Sequence, residues 1–242
     1  MGTATQTEVK EQVDLMYSLI HQQVDAIVLV PIDSKALVQP VVEAVRKGVP
    51  VINIDIRLDT QLLEQAGVEV AFVGPDNFAA AYEVGKLLDK KLRNEDKVAI
   101  IEGLAAADNA QQRKRGFIKA IEEKGLRLVA SEPADWETEK AAEVFQAMWM
   151  RYPDLKAVYC SNDAMALGVL QQMQEKNCYL PVVGFDNDAV MKEFLSTGKL
   201  VATADIFSSQ MAVRGIEFAL DVLEGKIENR GVHSTAYEII KQ

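Results

Sequence analysis

The chain of 242 residues predicts an α/β fold built on doubly wound, mostly parallel sheets, and three observations lead there. First, five apolar runs each end in a polar residue. They are residues 26–30 before Pro31-Ile32-Asp33, 49–54 before Asp55, 97–101 before Glu102-Gly103, 156–161 before Asn162-Asp163, and 180–185 before Asp186. Continuous runs rich in β-branched residues are the pattern of parallel strands buried on both faces. Second, helical patterns alternate with these strands, which implies βαβ units with right-handed crossovers. Third, the pattern falls into two βα-rich stretches on either side of Gly74-Pro75-Asp76-Asn77, the best candidate connection between two lobes.

Taken in order, residues 5–20 place Val9, Val13, Met16, Leu19 and Ile20 on one helical face. Ser34 is expected to cap a helix reaching about Lys47, stopped by Gly48, with Pro40 predicting a kink or a late start. Residues 78–93 carry Tyr82, Val84, Leu87, Leu88 and Leu92 at helical spacing. Residues 109–124 carry Phe117, Ile118 and Ile121 before Gly125, and residues 138–151 carry Val144, Phe145, Met148 and Trp149 before Pro153. Further helices fit residues 163–175, 187–196 and 207–224.

A hydrophobic fraction of 49% suits one or two domains with sizeable cores. The formal net charge of −10 repels phosphate backbones and argues against nucleic-acid partners. The two cysteines, Cys160 and Cys178, are expected as free thiols, since pairing is not deducible from sequence. The opening residues show neither a basic nor an apolar leader region, and no apolar run approaches the roughly 18–20 residues of a membrane span.

Several chemistries lack their signatures. There is no Gly-x-Gly-x-x-Gly after a strand, no phosphate-binding Gly-x-x-x-x-Gly-Lys-Ser/Thr, and no Gly-x-Ser-x-Gly elbow. The two histidines, His21 and His233, offer little to a triad or a metal site, and nothing near Cys160 in sequence would lower its pKa. No cofactor and no metal are expected, and binding is favoured over catalysis. Ligands of open α/β sheets sit outside the carboxyl ends of the strands, where the polar residues above fall.

The motifs Ser131-Glu132-Pro133-Ala134-Asp135-Trp136, Tyr152-Pro153-Asp154-Leu155-Lys156-Ala157-Val158, Asn162-Asp163-Ala164-Met165-Ala166-Leu167-Gly168 and Val182-Val183-Gly184-Phe185-Asp186 occur in that order. Upstream stand Pro31-Ile32-Asp33-Ser34, Gly48-Val49-Pro50-Val51, Asp76-Asn77 and Arg113-x-x-Gly116-Phe117. Together they resemble the type I periplasmic sugar-binding proteins, above all their ribose-binding branch, over essentially the whole chain. The resemblance implies two doubly wound lobes that close like a hinge on a sugar. One lobe would hold residues 1–74 and 207–235, the other 75–206 and 236–242. It implies a non-catalytic substrate-binding component of an ABC sugar importer, exported from the cytoplasm, with a permease and in some members a chemoreceptor as partners.

The resemblance also implies ligand residues: Asp55 and Asp186 as carboxylates accepting sugar hydroxyls, Trp136 and Phe185 as stacking aromatics, and Asn162 as donor and acceptor. Each has a plainer reading: Asp55 and Asp186 as helix N-caps, Trp136 as core, Asn162 as a turn residue. Departures accompany the matches. The arginine expected after the first aspartate is Ile56, with Arg57 one place on; a second ligand arginine aligns with Gln111; an asparagine aligns with Val30 and a glutamine with Ile206. A less polar pocket follows, and with it a less hydroxylated sugar or a polyol in place of ribose. The family opens with a strand, a helix and a strand, and this sequence starts after them. The N-terminal lobe is therefore expected to be incomplete, through a truncated gene, self-association or a recruited segment, or a frayed lobe. The competing functions are a ligand-sensing domain of a transcriptional repressor, which shares the fold, and a non-functional truncated binding protein.

Overall fold

The computed structural model describes residues 2, 3, 5 and 8–241. The chain divides into two compact units: Met1–Pro75 with Ala106–Asn109 and Phe207–Ala236, and Asp76–Ala105 with Ala110–Ile206 and Tyr237–Gln242. Residues 106–109 group with the first unit, whereas the sequence pattern puts them in the second. Two hydrogen bonds tie them there: the Ser34 amide donates to the Ala106 carbonyl at 3.0 Å, and the Asp108 amide donates to Ser34 Oγ at 2.9 Å.

The first unit opens with α1 (Val9–His21), β1 (Ile27–Leu29), α2 (Val38–Arg46), β2 (Val51–Ile54), α3 (Thr60–Gln65) and β3 (Phe72–Gly74). The helix expected over 5–20 starts at Val9, and positions 6 and 7 lie outside the described residues. Ser34 does not cap α2. Asp33 Oδ1 instead accepts from the Lys35 and Ala36 amides, and the helix begins late, at Val38. Pro40 thus falls in the first turn, where no intrahelical donor is lost.

In the second unit, α4 (Asn77–Asp89), β4 (Lys97–Glu102), α5 (Asp108–Lys124, begun by first-unit residues), β5 (Arg127–Pro133), α6 (Thr138–Arg151), β6 (Ala157–Cys160), α7 (Asp163–Glu175) and β7 (Val182–Val183) follow. Residues 187–196 form a 3₁₀ turn, Ala189–Met191, and a short α8 (Lys192–Ser196) before β8 (Leu200–Asp205). The chain then adds α9 (Ser208–Leu223) and β9 (Val232–Ser234) to the first unit and β10 (Glu238–Lys241) to the second.

The first sheet is parallel, in the order β1-β2-β3-β9. One apolar cluster packs Met16 and Ile20 of α1 and Leu37, Val41 and Val42 around Ile27, Leu29 and Val51. A second joins Ile52, Ile54 and Val73 to Ala219 of α9. The α1 face is therefore covered. The uncovered apolar stripe lies on α9, where Val213, Ile216, Leu220 and Leu223 are exposed.

The second sheet has the order β10-β8-β7-β6-β4-β5, parallel except for the antiparallel β10–β8 pair. From β4 the chain steps to β5 on one side and then to β6 on the other, so the order reverses between β4 and β6. Such a reversal leaves a crevice at the carboxyl ends of the strands.

Candidate functional site

Arg113, on α5 of the second unit, organises the crevice. It is 3% exposed. Its Nε donates to Asn77 Oδ1 at 2.9 Å and its Nη1 to the Ser161 carbonyl at 2.8 Å, just past the end of β6. The same Nη1 lies 3.4 Å from Asp186 Oδ1. The guanidinium carbon sits 3.7 Å from the centre of the Phe185 ring and 5.6 Å from that of Trp136. A buried cation is stable only when charge and hydrogen-bond partners surround it, and here an anion, an amide oxygen, a carbonyl and two ring faces do so.

Four of the expected site residues gather here. Asp186 follows β7 with φ 107° and keeps a partly exposed carboxylate. Phe185 is fully buried, with the guanidinium over its ring. Trp136 follows β5 in the left-handed region at φ 71°, after Asp135 at φ 53°, a backbone that the surroundings must hold against roughly 1–3 kcal/mol per residue. Gly103 makes room for it: a Cβ there would stand 2.1 Å from the indole Cη2. Lys140 pairs with Asp135 and fixes the turn. Asn162 is the N-cap of α7, its Oδ1 accepting from the Met165 amide at 2.9 Å, so that oxygen is engaged by the protein.

Gln111 is not part of this cluster; its Nε2 donates to the Ala105 carbonyl at 2.9 Å. The guanidinium that the family resemblance aligns with Gln111, and so counts as missing, is supplied two residues on by Arg113. Asn77 and Arg113 both stand in the motifs that carry the resemblance, but nothing in the sequence assigns them to the site.

Beneath the crevice lies Asp163, fully buried at the first turn of α7. Burial pushes its carboxyl up to about 7 against the Asp188 amide, with the charge of Asp186 adding to the rise. Behind the sheet, burial also raises Asp89, whose Oδ1 accepts from the Tyr159 hydroxyl at 2.6 Å.

In the first unit, Asp55 follows β2 with φ 62°, its amide donating to the Val73 carbonyl at 3.2 Å. Buried Asn53 stitches the turn that presents it: Nδ2 donates to Leu29 and Ile56 carbonyls, and Oδ1 accepts from the Leu58 amide. Neither Asp55 nor Asp186 caps a helix; Asp59 caps α3. Ile56 and, in the second unit, Ile206 are buried, and Arg57 lies over the Phe72 ring at 5.5 Å. An open groove of about 530 Å³ in this unit, lined by Arg57, Leu63, Glu64, Glu69 and Val232 among others, holds none of the candidate residues.

Among the described residues, no group of three or more His, Cys, Asp or Glu side chains is placed to hold a metal ion, and both cysteines are free. No described helix is long and apolar enough to cross a membrane.

Comparison with known proteins bears on this arrangement. The D-ribose/D-allose-binding protein of Pseudomonas aeruginosa is 41% identical over 99% of this chain, which spans 76% of that protein. An ABC transporter solute-binding protein from Burkholderia multivorans, crystallised with an unknown ligand represented as α-D-erythrofuranose, superposes with a TM-score of 0.95 at 39% identity. That match covers all of this chain and 86% of the other. A periplasmic solute-binding protein from Actinobacillus succinogenes with bound D-allose superposes at 0.89 with 31% identity, over 96% of this chain and 84% of the other. The family model described as periplasmic binding protein domain matches residues 2–227. With a buried arginine, an acidic partner and two aromatic rings at the reversal of a parallel sheet, and with relatives of this identity and coverage, the chain belongs to the periplasmic binding protein family.

Proposed function

We propose that this chain binds a simple sugar or polyol, without altering it, as the substrate-binding component of an ABC sugar importer. The observation that carries the reading is the Arg113–Asp186 pair, whose guanidinium also faces the rings of Phe185 and Trp136. A fixed cation and a partly exposed carboxylate supply the donors and acceptors that hydroxyl groups need, and an aromatic face accepts the C–H side of a pyranose or furanose. The relatives named for D-ribose, D-allose and bound D-allose support the same ligand class.

The reading assigns ligand contacts to Arg113, Trp136, Asp186 and the Asn162 amide nitrogen in the second unit, with Phe185 backing the arginine. Asp55 of the first unit is assigned as a further carboxylate. Ile56 and Ile206 hold aliphatic side chains where ribose binders of the family carry an arginine and a glutamine, which disfavours D-ribose. The proposed partners are an importer permease and, in addition, a chemoreceptor, at an exported location. Self-association through the first unit is proposed on the exposed α9 stripe. Isothermal titration of the full chain with D-allose, D-ribose and xylitol tests the ligand class: saturable binding of at least one is expected, with D-ribose weaker than D-allose. No heat from any of them at millimolar concentration rejects the class, and D-ribose as the tightest ligand rejects the selectivity.

A further inference from the structure

Asp163 touches the candidate site only from beneath, yet it grips the turn that carries half of it. Its amide donates to the Phe185 carbonyl at 2.7 Å. Its Oδ2 accepts from the Asp188 amide at 2.8 Å, and its Oδ1 accepts from Thr203 Oγ1 at 2.9 Å. The same Thr203 oxygen accepts from the Asn187 amide at 3.2 Å. Between these holds, Asp186 and Asn187 adopt φ values of 107° and 58°, a backbone that side-chain-bearing residues keep only when the surroundings impose it. Gly184 is part of the device, because a Cβ at that position would lie 1.9 Å from Asp163 Oδ1.

We infer that Asp163 is a positioning residue: with Thr203 it clamps the turn from Gly184 to Asp188 and so sets the pose of Phe185 and Asp186 against Arg113. The carboxylate is fully buried, which keeps it out of reach of a ligand in the crevice. The ladder to β8 ends with the Asp186 amide, which donates to the Ala204 carbonyl at 2.7 Å; beyond it the clamp supplies the acceptors for the Asn187 and Asp188 amides, from Thr203 on β8 and Asp163 at the start of α7. Without it, the amides of Asn187 and Asp188 lose their acceptors, the turn relaxes, and the carboxylate that faces Arg113 is no longer fixed.

The inference rests on the sugar-binding reading only for its affinity measurement, so two readouts are combined. Hydrogen exchange on the sugar-free full chain compares Asp163→Ala, Asp163→Asn and Thr203→Val with wild type. In D163A, and in the nearly isosteric T203V should D163A fail to fold, the amides of residues 187 and 188 are expected to exchange at least about tenfold faster, the loss of one or two hydrogen bonds. Amides in the body of α7 should stay within about twofold. D163N keeps one acceptor and should fall between, a partial rescue that loss of α7 capping alone would not give. Titration with D-allose should show a Kd weakened about tenfold in D163A and less in D163N. Unchanged exchange at 187 and 188, exchange raised equally along α7, or faster exchange with an unaltered Kd overturns the inference. If wild type binds no sugar while the turn still responds, the ligand reading falls and the clamp stands.

Discussion

The two units apply one βα repeat to different ends. In the second, the strand order reverses between β4 and β6, and the reversal holds a nearly buried cation, Arg113, with an anion and two rings about it. In the first, the described strands run β1-β2-β3-β9 in chain order, and the turn presenting Asp55 is held by a neutral amide, Asn53. A neutral amide needs only a few hydrogen bonds to be stable when buried; a guanidinium needs a counter-charge, and that counter-charge is then fixed in space. The second unit therefore stores more electrostatic free energy in its strand-end loops, and its site geometry is more tightly coupled to its stability. The first unit concentrates its exposed apolar surface on α9.

The sharpest way to break this contrast is to remove both centres. Arg113→Met leaves Asn77 Oδ1, the Ser161 carbonyl and Asp186 without their cation, a loss of about 3–5 kcal/mol together with sugar binding. Asn53→Ala should lower stability by about 1–3 kcal/mol, the penalty of backbone groups left unsatisfied. Urea unfolding of both variants decides it, and a larger loss from N53A would reverse the comparison. Next in size, Gly103→Ala drives a methyl into the Trp136 indole and should lose about 1–3 kcal/mol, with a shift in tryptophan emission as the ring moves. Unaltered emission in G103A would mean that Trp136 is not held by that contact.

The pH response separates the units as well. Asp163 titrates near 7 in the folded chain, chiefly through burial, against an ordinary value of 3.8. Between those values the folded state binds more protons than the unfolded one, so this group makes stability fall as pH rises from about 4 to about 7, with no further loss above that. Asp89, raised by burial, adds a slope of the same sign. Urea midpoints at several pH values in that window should fall more steeply for wild type than for Asp163→Asn. Parallel curves would show that Asp163 is not proton-linked to folding.

How much of this is legible in the sequence follows from where the information resides. The five strands read correctly are apolar on both faces, a property of their own residues. β5 escapes such a reading because it is an edge strand with exposed Arg127 and Leu128, and β8 because Leu200–Asp205 mixes Thr203 and Asp205 into its run. Phe185 and Asp186 lie at the end of a strand that the alternation reveals, whereas Trp136 follows β5 and is reached only through the motifs that carry the family resemblance. Arg113 is different. It sits in a helix segment crowded with charge, Gln111-Gln112-Arg113-Lys114-Arg115, where nothing local marks one cation as buried. Residues two apart on a helix point to different faces, so reading Gln111 in its place puts the wrong face toward the crevice. Only packing against Phe185, Asn77 and Ser161, each more than 30 positions away, identifies it.

The exposed stripe on α9 yields the smallest expected effect on stability and the clearest test of the first unit's separate role. Val213, Ile216, Leu220 and Leu223 recur at spacings of three and four, so they form one ridge, while Ala219 and Met211 on the same helix face inward. Ile216 and Leu220 are both more than half exposed, and changing them together to Lys should alter unfolding free energy by less than about 0.5 kcal/mol per site. The same change should sharply lower the binding of an apolar dye and abolish any concentration dependence of the sedimentation coefficient, because two added cations repel a like ridge. Sugar affinity should stay as in wild type. A large loss of stability would mean that the ridge is packed in solution, and an undiminished self-association would place the contact between copies elsewhere on the chain.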